Sequence, residues 1–444
     1  MSLRLGGLKE SSLKRQLGFT AVVAVVIGDM LGSGIFFTPG QLASVAQANW
    51  QVYFFWSLCG FITLCGALTL AELSTQFPFS GSSYHIIAAG FGPFWAFLKI
   101  WVEMWISGPG SVAGVAIVFG TFLATLIGGK AVIWGLTAIG FFTVLNLLGV
   151  RWGGRTQVAL TFIKILALLA LIAGSVFSSS PLPAPAVKVE VDLGGFMRLI
   201  GLGVAAVLFT YDGWIDVTHV AGEVSNPRKI LPAGLAAGVG IIVFLYLAVN
   251  YAFLRIVPLG QMRAHPTLVA TQVANVAFGN SGGRILSAVM MISIFGALGG
   301  LMMTEPRLYF AAAAEYQERN PNRFFSTLAF VSKSAVPAGS IIFCALTSSA
   351  VVLVFGTFNR IANFFVISMQ FINILMVASI YKIRRNPDNY QTLGYPLTPA
   401  IFICVISLLL LSAVYYNPKD SLIGAALTAL SFPVYVWLNR SRKE

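Results

Sequence analysis

An apolar run beginning at Ala21 is interrupted by Gly32-Ser33-Gly34-Ile35-Phe36, two glycines and a serine where a membrane helix should pass unbroken through mid-depth. Backbone that leaves helical geometry inside a bilayer exposes N–H and C=O groups that lipid cannot satisfy. Such a break persists only where it lines a cavity or is buried in protein. Unwinding would leave the following half-helix with free N–H groups and partial positive charge, a seat for a carboxylate. The Ser33 hydroxyl and the Gly34 amide are the natural ligands there, because small residues let an anion approach the backbone. The preceding half-helix would end in unpaired carbonyls around Met30, where an ammonium group can dock. One broken helix could thus hold both ends of a zwitterion. The competing reading is a glycine-lined surface for helix packing.

Two more features carry chemistry. Phe209-Thr210-Tyr211-Asp212-Gly213-Trp214 breaks a second apolar stretch in the corresponding place of the second half of the chain. Paired breaks of this kind point to a small-molecule site between inverted repeats. Lys164 stands in the apolar string Thr161-Phe162-Ile163-Lys164-Ile165-Leu166. An ammonium at the centre of a span is costly unless paired, which makes it a functional candidate. Asp29, one turn before the first break, could pair with Lys164, bind protons or shape an inner vestibule.

The elements that must position these residues are membrane helices. Of 444 residues, 57% are hydrophobic and 10% charged, and the mean hydropathy is +0.84. A soluble domain carries about 25% charged residues. At about 20 apolar residues per crossing, twelve spans are predicted, starting near residues 18, 50, 94, 131, 157, 196, 233, 284, 337, 360, 396 and 422. Short polar joints leave no room for a soluble domain, so residues 1–444 read as one polytopic helical bundle. The net charge of +13 reports topology. Eighteen of the 28 Lys and Arg residues fall before span 1, after span 12, or between spans 4/5, 6/7, 8/9 and 10/11. With an even number of spans and both termini inside, all of these lie on the cytoplasmic face, as positive-inside orientation requires. The first segment is too long, and too poorly matched at its end, for a cleaved leader. Cys59, Cys65, Cys344 and Cys404 lie in predicted spans without metal-ligand spacing. Neither a phosphate-binding loop nor a catalytic cluster is present, which argues against an ATP-driven pump, an enzyme, a resident cofactor or a metal centre.

At the second break the chain resembles the amino acid–polyamine–organocation superfamily and, within it, the L-type amino acid transporters. The likeness rests on Phe209, Tyr211, Gly213 and Trp214, followed by Glu223, Asn226-Pro227 and Arg228. It extends to Gly66-Ala67-Leu68 through Glu72-Leu73, to Phe91-Gly92-Pro93, to Gly149-Val150-Arg151-Trp152-Gly153 and to Arg307-Leu308-Tyr309. It departs at Ala314 and Tyr316, where the family usually has a basic residue and a glycine.

The resemblance implies a leucine-transporter-like fold, all-α, with helices 1–5 (residues 17–180) and 6–10 (195–385) as inverted repeats. Helices 1 and 6 are broken, and helices 11–12 (395–438) are additions. It implies an amino acid whose carboxylate meets Ser33 and Gly34 and whose ammonium meets carbonyls of Met30, Phe209 and Asp212, with Gly32, Gly213 and Trp214 in the same broken segments. Phe209 would close over the substrate as a thin gate; packing aromatics are the bland alternative for Phe209 and Trp214. Sodium-dependent relatives bind a cation where helices 1, 5 and 8 meet. Lys164 matches the lysine that takes this place in sodium-independent members, as static replacement or proton carrier. Asp212 could strengthen binding of the α-ammonium or a basic side chain, or only cap a half-helix. Asp216 carries the same ambiguity.

Lys99 and Glu103, four residues apart, are expected to pair without a transport role. His219 reads as a structural partner beside Glu223, and Glu72 as a residue that orders the inner loop.

These features imply a sodium-independent secondary transporter of L-amino acids, neutral with cationic ones as a further option, acting as exchanger or proton symporter in a bacterial plasma membrane. A polyamine or amine transporter and a transporter-like sensor stay open as alternatives, although amines would leave the anion seat unused. A channel is a weaker option, since no ring of charge or repeated filter sequence is present. No nucleic acid is expected as a partner. Gly128-Gly129-Lys130 lacks the cysteine through which animal L-type transporters join a glycoprotein, so no disulfide-linked partner is expected either.

Overall fold

A computed structural model describes residues 15–32, 34–79, 81–178, 207–208, 210–266, 269–319, 323–356, 358–383, 390–416, 425–426 and 428–440. Among these residues the chain is helical throughout, with one isolated backbone bridge, Leu17 to Val224, in place of any sheet. The first apolar run forms α1 (Phe19–Met30) and α2 (Gly34–Val45), bent by 43° at the glycine pair. Then follow α3 (Asn49–Gln76), α4 (Ser82–Phe91), α5 (Pro93–Val102), a π-helical turn Glu103–Ser107, α6 (Gly108–Ile127), α7 (Ala131–Leu147) and α8 (Val150–Phe177). Beyond the second break come a 3-10 segment Asp216–Glu223, α9 (Pro227–Ile256), α10 (Leu259–Ala264) and α11 (Val269–Phe278). The chain continues through α12 (Gly282–Arg319), α13 (Arg323–Leu328), α14 (Ala338–Phe355), α15 (Phe358–Ala378), α16 (Leu397–Tyr416) and α17 (Ser431–Arg440).

Among the described residues, six helical stretches are long and apolar enough to cross a membrane, and the bent α1–α2 pair makes a seventh. The predicted spans near 131, 360 and 396 appear as the shorter apolar stretches Ala131–Leu147, Ser368–Tyr381 and Leu397–Leu411. That near 196 falls largely outside the described residues, and that near 422 is described at 425–426 and 428–440, ending in α17. The helix α11 is a short apolar element that hydropathy counting passed over.

Burial separates the centre of the bundle from its rim. The span in α3 is 67% buried and that in α8 only 28%. On α8 the buried residues are Gln157, Thr161, Lys164, Leu168, Leu171 and Ser175, a stripe repeating every three or four residues. Its outer face is Phe162, Ile163, Leu166 and Leu169. The polar side chains of this stretch, Gln157, Thr161, Lys164 and Ser175, all point inward with Leu168 and Leu171, and the outer face is apolar, as lipid demands. The same stripe turns Lys164 towards α1.

One end of the bundle is tied across the two halves. The Gln16 and Leu17 amides donate to Glu223 O (2.7 and 2.8 Å), the Ser225 amide to Leu17 O (3.0 Å), and the Gly81 amide to His219 O (3.0 Å). Beside these, the Arg307–Glu223 ion pair (2.9 Å) is buried. Glu223 thus pairs with Arg307, whereas both His219 ring nitrogens lack a hydrogen-bond partner. Glu72 orders the segment before α16, where its Oε2 accepts from the Thr392 amide (2.7 Å). Cys59, Cys65 and Cys344 are buried, while Cys404 lies exposed on α16.

Candidate substrate-binding site

Both expected breaks form, and they meet. Leu31 leaves helical geometry (φ −81°, ψ 76°), and α2 restarts at Gly34. The second break has non-helical backbone at Asp212 and Gly213, and the chain resumes as the 3-10 segment. Gly213 adopts φ +102°, a region L side chains rarely enter, and a Cβ there would stand 2.8 Å from the Asp29 backbone carbon. That close approach is why glycine occupies this point. Thr38 of α2 and Thr210 share a hydroxyl hydrogen bond of 2.7 Å, and Tyr246 Oη of α9 donates to Met30 O (2.8 Å) and Thr210 O (3.2 Å). One tyrosine therefore clamps both broken segments.

The carbonyl end of α1 is already served by protein groups. Lys164 Nζ donates to Gly28 O (2.9 Å) and Leu31 O (3.0 Å), and Ser293 Oγ of α12 donates to Leu31 O (3.1 Å). Thr161 Oγ1 holds Ala24 O (3.0 Å), and Met30 O accepts from the Gly32 amide (2.9 Å) as well as from Tyr246. A buried ammonium thus sits where the unwound helix presents its unpaired oxygens, which resolves the desolvation of both.

A cavity of about 120 Å³ lies between the two breaks. At about 10–15 Å³ per water-sized group, it has room for roughly eight to twelve non-hydrogen atoms, the size of an amino acid. Of the residues read from sequence, Asp29, Met30, Gly32, Gly34, Asp212 and Gly213 line it. Around Gly32 the space is open, with nothing within 4 Å of where a Cβ would stand. Trp214 is not among the lining residues; it is buried with its ring 5.7 Å from that of Phe402 on α16. Lys164 stands behind the wall on the α1 carbonyls. Ser33 and Phe209 lie outside the described residues.

The rest of the lining was not read from sequence. The segment around the π-helical turn supplies Glu103, Ser107 and Ser111, a stripe at intervals of four. From α12 come Ala297, Leu301 and Glu305, at the same interval, and from α15 Met369. The Lys99–Glu103 pair forms as expected, and Glu103 also faces the cavity. Glu305 was visible to the rule that found Lys164, an ionisable residue within an apolar helix. Asp29, Glu103, Asp212, Asp216 and Glu305 make five carboxylates on one small cavity. Asp216, His219 and Glu305 present ligand atoms within 4.8 Å of one another, an arrangement that could also hold a metal ion.

Residues 17–438 match the amino acid permease family. The chain is 26% identical over 441 residues to the serine/threonine exchanger SteT of Bacillus subtilis, covering 98% of this chain and 99% of that protein. It is 28% identical over 455 residues to the human cystine/glutamate transporter (98% and 88%), and 26% identical over 445 residues to the mouse large neutral amino acids transporter small subunit 2 (96% and 81%). Likeness along nearly the whole length agrees with paired breaks around an amino-acid-sized cavity, and the chain belongs to the amino acid permease family, within the amino acid–polyamine–organocation superfamily.

Proposed function

We propose that the protein is a sodium-independent secondary transporter of L-amino acids, working by alternating access in a plasma membrane with both termini cytoplasmic. The observation that carries the sodium independence is the Lys164 ammonium on Gly28 O and Leu31 O. A fixed cation that satisfies these oxygens leaves no reason for a mobile one. The cargo carboxylate sits at the N-terminus of α2, at Ser33 and the Gly34 amide, where helix-end donors and partial positive charge converge. The α-ammonium sits across the cavity near Asp212. Residues 17–180 and 195–385 act as the inverted repeats, and Phe209 closes the cavity. The absence of cysteine from the Gly128–Lys130 loop supports action without a disulfide-linked partner.

Uptake of labelled amino acids into proteoliposomes tests this, with lumens empty or preloaded with unlabelled amino acids and with sodium replaced by choline. Equal uptake in both salts is expected. Uptake only into loaded vesicles identifies an exchanger, and uptake into empty vesicles that strengthens at acid outside pH identifies proton symport. Strict dependence on sodium overturns the role given to Lys164.

A further inference from the structure

We infer that Asp216, His219 and Glu305 form a binding site for a divalent transition-metal ion, and that an ion held there arrests the carrier by clamping the second break to α12. The site stands apart from the transport reading; only the arrest rests on it.

The three side chains converge from two elements. Asp216 and His219 belong to the 3-10 segment. At three residues per turn, positions spaced as these are lie one above the other on the same edge. Glu305 reaches them from α12. One ligand atom from each, a ring nitrogen and two carboxylate oxygens, lies within 4.8 Å of the other two. Both carboxylates line the cavity, which gives an ion a way in. The Tyr309 hydroxyl hydrogen-bonds the Glu305 side chain, the outer support that metal-binding carboxylates commonly have. The Gly81 amide, on His219 O at 3.0 Å, fixes the backbone that carries the imidazole. The Lys99 ammonium, which would repel a cation, is paired with Glu103.

His219 is the observation that points to a ligand. It is fully buried and neither ring nitrogen has a hydrogen-bond partner, although one of them stands beside two carboxylates. Buried polar atoms are rarely left unsatisfied. Protons on Asp216 or Glu305 would neutralise the acids, yet at this separation they leave the imidazole nitrogen unserved. An ion bonded at about 2.0–2.2 Å to each atom serves all three at once. Its two positive charges match the two carboxylates, so the buried assembly is neutral. The ligand types select the ion: an imidazole beside two carboxylates suits zinc, cobalt or nickel, whereas magnesium and calcium favour oxygen alone. Because the ligands come from both the 3-10 segment and α12, coordination joins the second broken segment to its neighbour and holds one conformation.

The probe is cobalt(II) chloride, added to purified, tag-free, metal-stripped protein in detergent and read by the visible absorption cobalt gains when protein ligands replace water. One ion per chain is expected, displaced by zinc and not by about a hundredfold excess of magnesium. In His219→Gln, Asp216→Asn and Glu305→Gln binding should weaken at least about tenfold, scored only on variants whose heat unfolding stays cooperative. Wild-type protein without a saturable site overturns the inference whatever the variants do. Binding that survives His219→Gln, or that magnesium displaces as readily as zinc, also overturns it. In proteoliposomes, zinc at a concentration that saturates the titration should slow wild-type amino acid exchange at least about tenfold and spare His219→Gln. Zinc that binds yet leaves exchange unaltered overturns the arrest. Protein that moves no amino acid in metal-free buffer fails the transport reading, and the cobalt titration still decides the site.

Discussion

Replacing Lys164 with alanine removes the group that closes the carbonyl end of α1. The side chain is 1% exposed, and its ammonium makes two hydrogen bonds, to Gly28 O and Leu31 O. A hydrogen bond to a charged group contributes about 1.5–3 kcal/mol, so losing two removes about 3–6 kcal/mol from the unwound geometry. At about 1.4 kcal/mol per tenfold, that geometry falls in population by roughly 10²–10⁴. Exchange of labelled substrate in proteoliposomes should drop by about 100-fold or more. Ser293→Ala is the internal comparison. It removes one neutral hydrogen bond from Leu31 O, worth about 0.5–1.5 kcal/mol, and leaves Lys164 in place. Its loss should stay within roughly tenfold. A Lys164→Ala protein that exchanges at more than half the wild-type rate, with unchanged pH dependence, would refute both the structural role and any role in coupling.

Tyr246→Phe deletes the hydroxyl whose single proton is shared between Met30 O and Thr210 O, a neutral three-centre bond worth about 0.5–1.5 kcal/mol. Exchange should fall by roughly two- to tenfold, and wild-type exchange would show that the bridge does not hold the two segments in register. Gly213→Ala forces a side chain onto φ +102° and against the Asp29 backbone; strain of about 1–3 kcal/mol adds to the clash. Protein of normal yield with at least tenfold less uptake is expected, and unaltered transport would contradict the packing. Glu223→Ala strands the buried Arg307 guanidinium, a loss of about 3–5 kcal/mol visible as a lower unfolding temperature in detergent. The double variant with Arg307→Ala should lose less than the sum of the two singles, and strict additivity would mean the pair is not coupled.

What the sequence made legible was whatever violates the chemistry of a membrane helix. Glycines at 32 and 34, the Asp212-Gly213 pair and a lysine at 164 each conflict with an unbroken apolar span, and all of those described lie on or beside the cavity. What it concealed depends on rotation about helix axes. Glu103 reads as a pairing partner of Lys99 without a transport role because their spacing is that of an α-helix, and the pair does form. The spacing of four puts Ser107 and Ser111 on the face of Glu103, and the structure turns that face to the cavity; spacing alone does not say which neighbour a helix face meets. Trp214 was expected in the site from its place in the break, yet the turn at Gly213 sends its ring towards Phe402. Glu305 carried a signal of its own, masked by Pro306 and Arg307, which read as the cytoplasmic end of a span.

The charges suggest why an empty cavity and a filled one should differ in conformation. Asp216 and Glu305 present oxygens within 4.8 Å of one another; at an effective dielectric constant of 20, full ionisation of both would cost at least about 3.5 kcal/mol, which a shared proton or a bound cation removes. Asp216 belongs to the 3-10 segment of the second break and Glu305 to α12, so this repulsion acts between two elements rather than within one. A ligand or proton shifts a conformational equilibrium only by its differential affinity for the two states, and neutralising this pair acts on the contact between the second break and α12. Lys164 meets the other broken segment, on the carbonyls of α1.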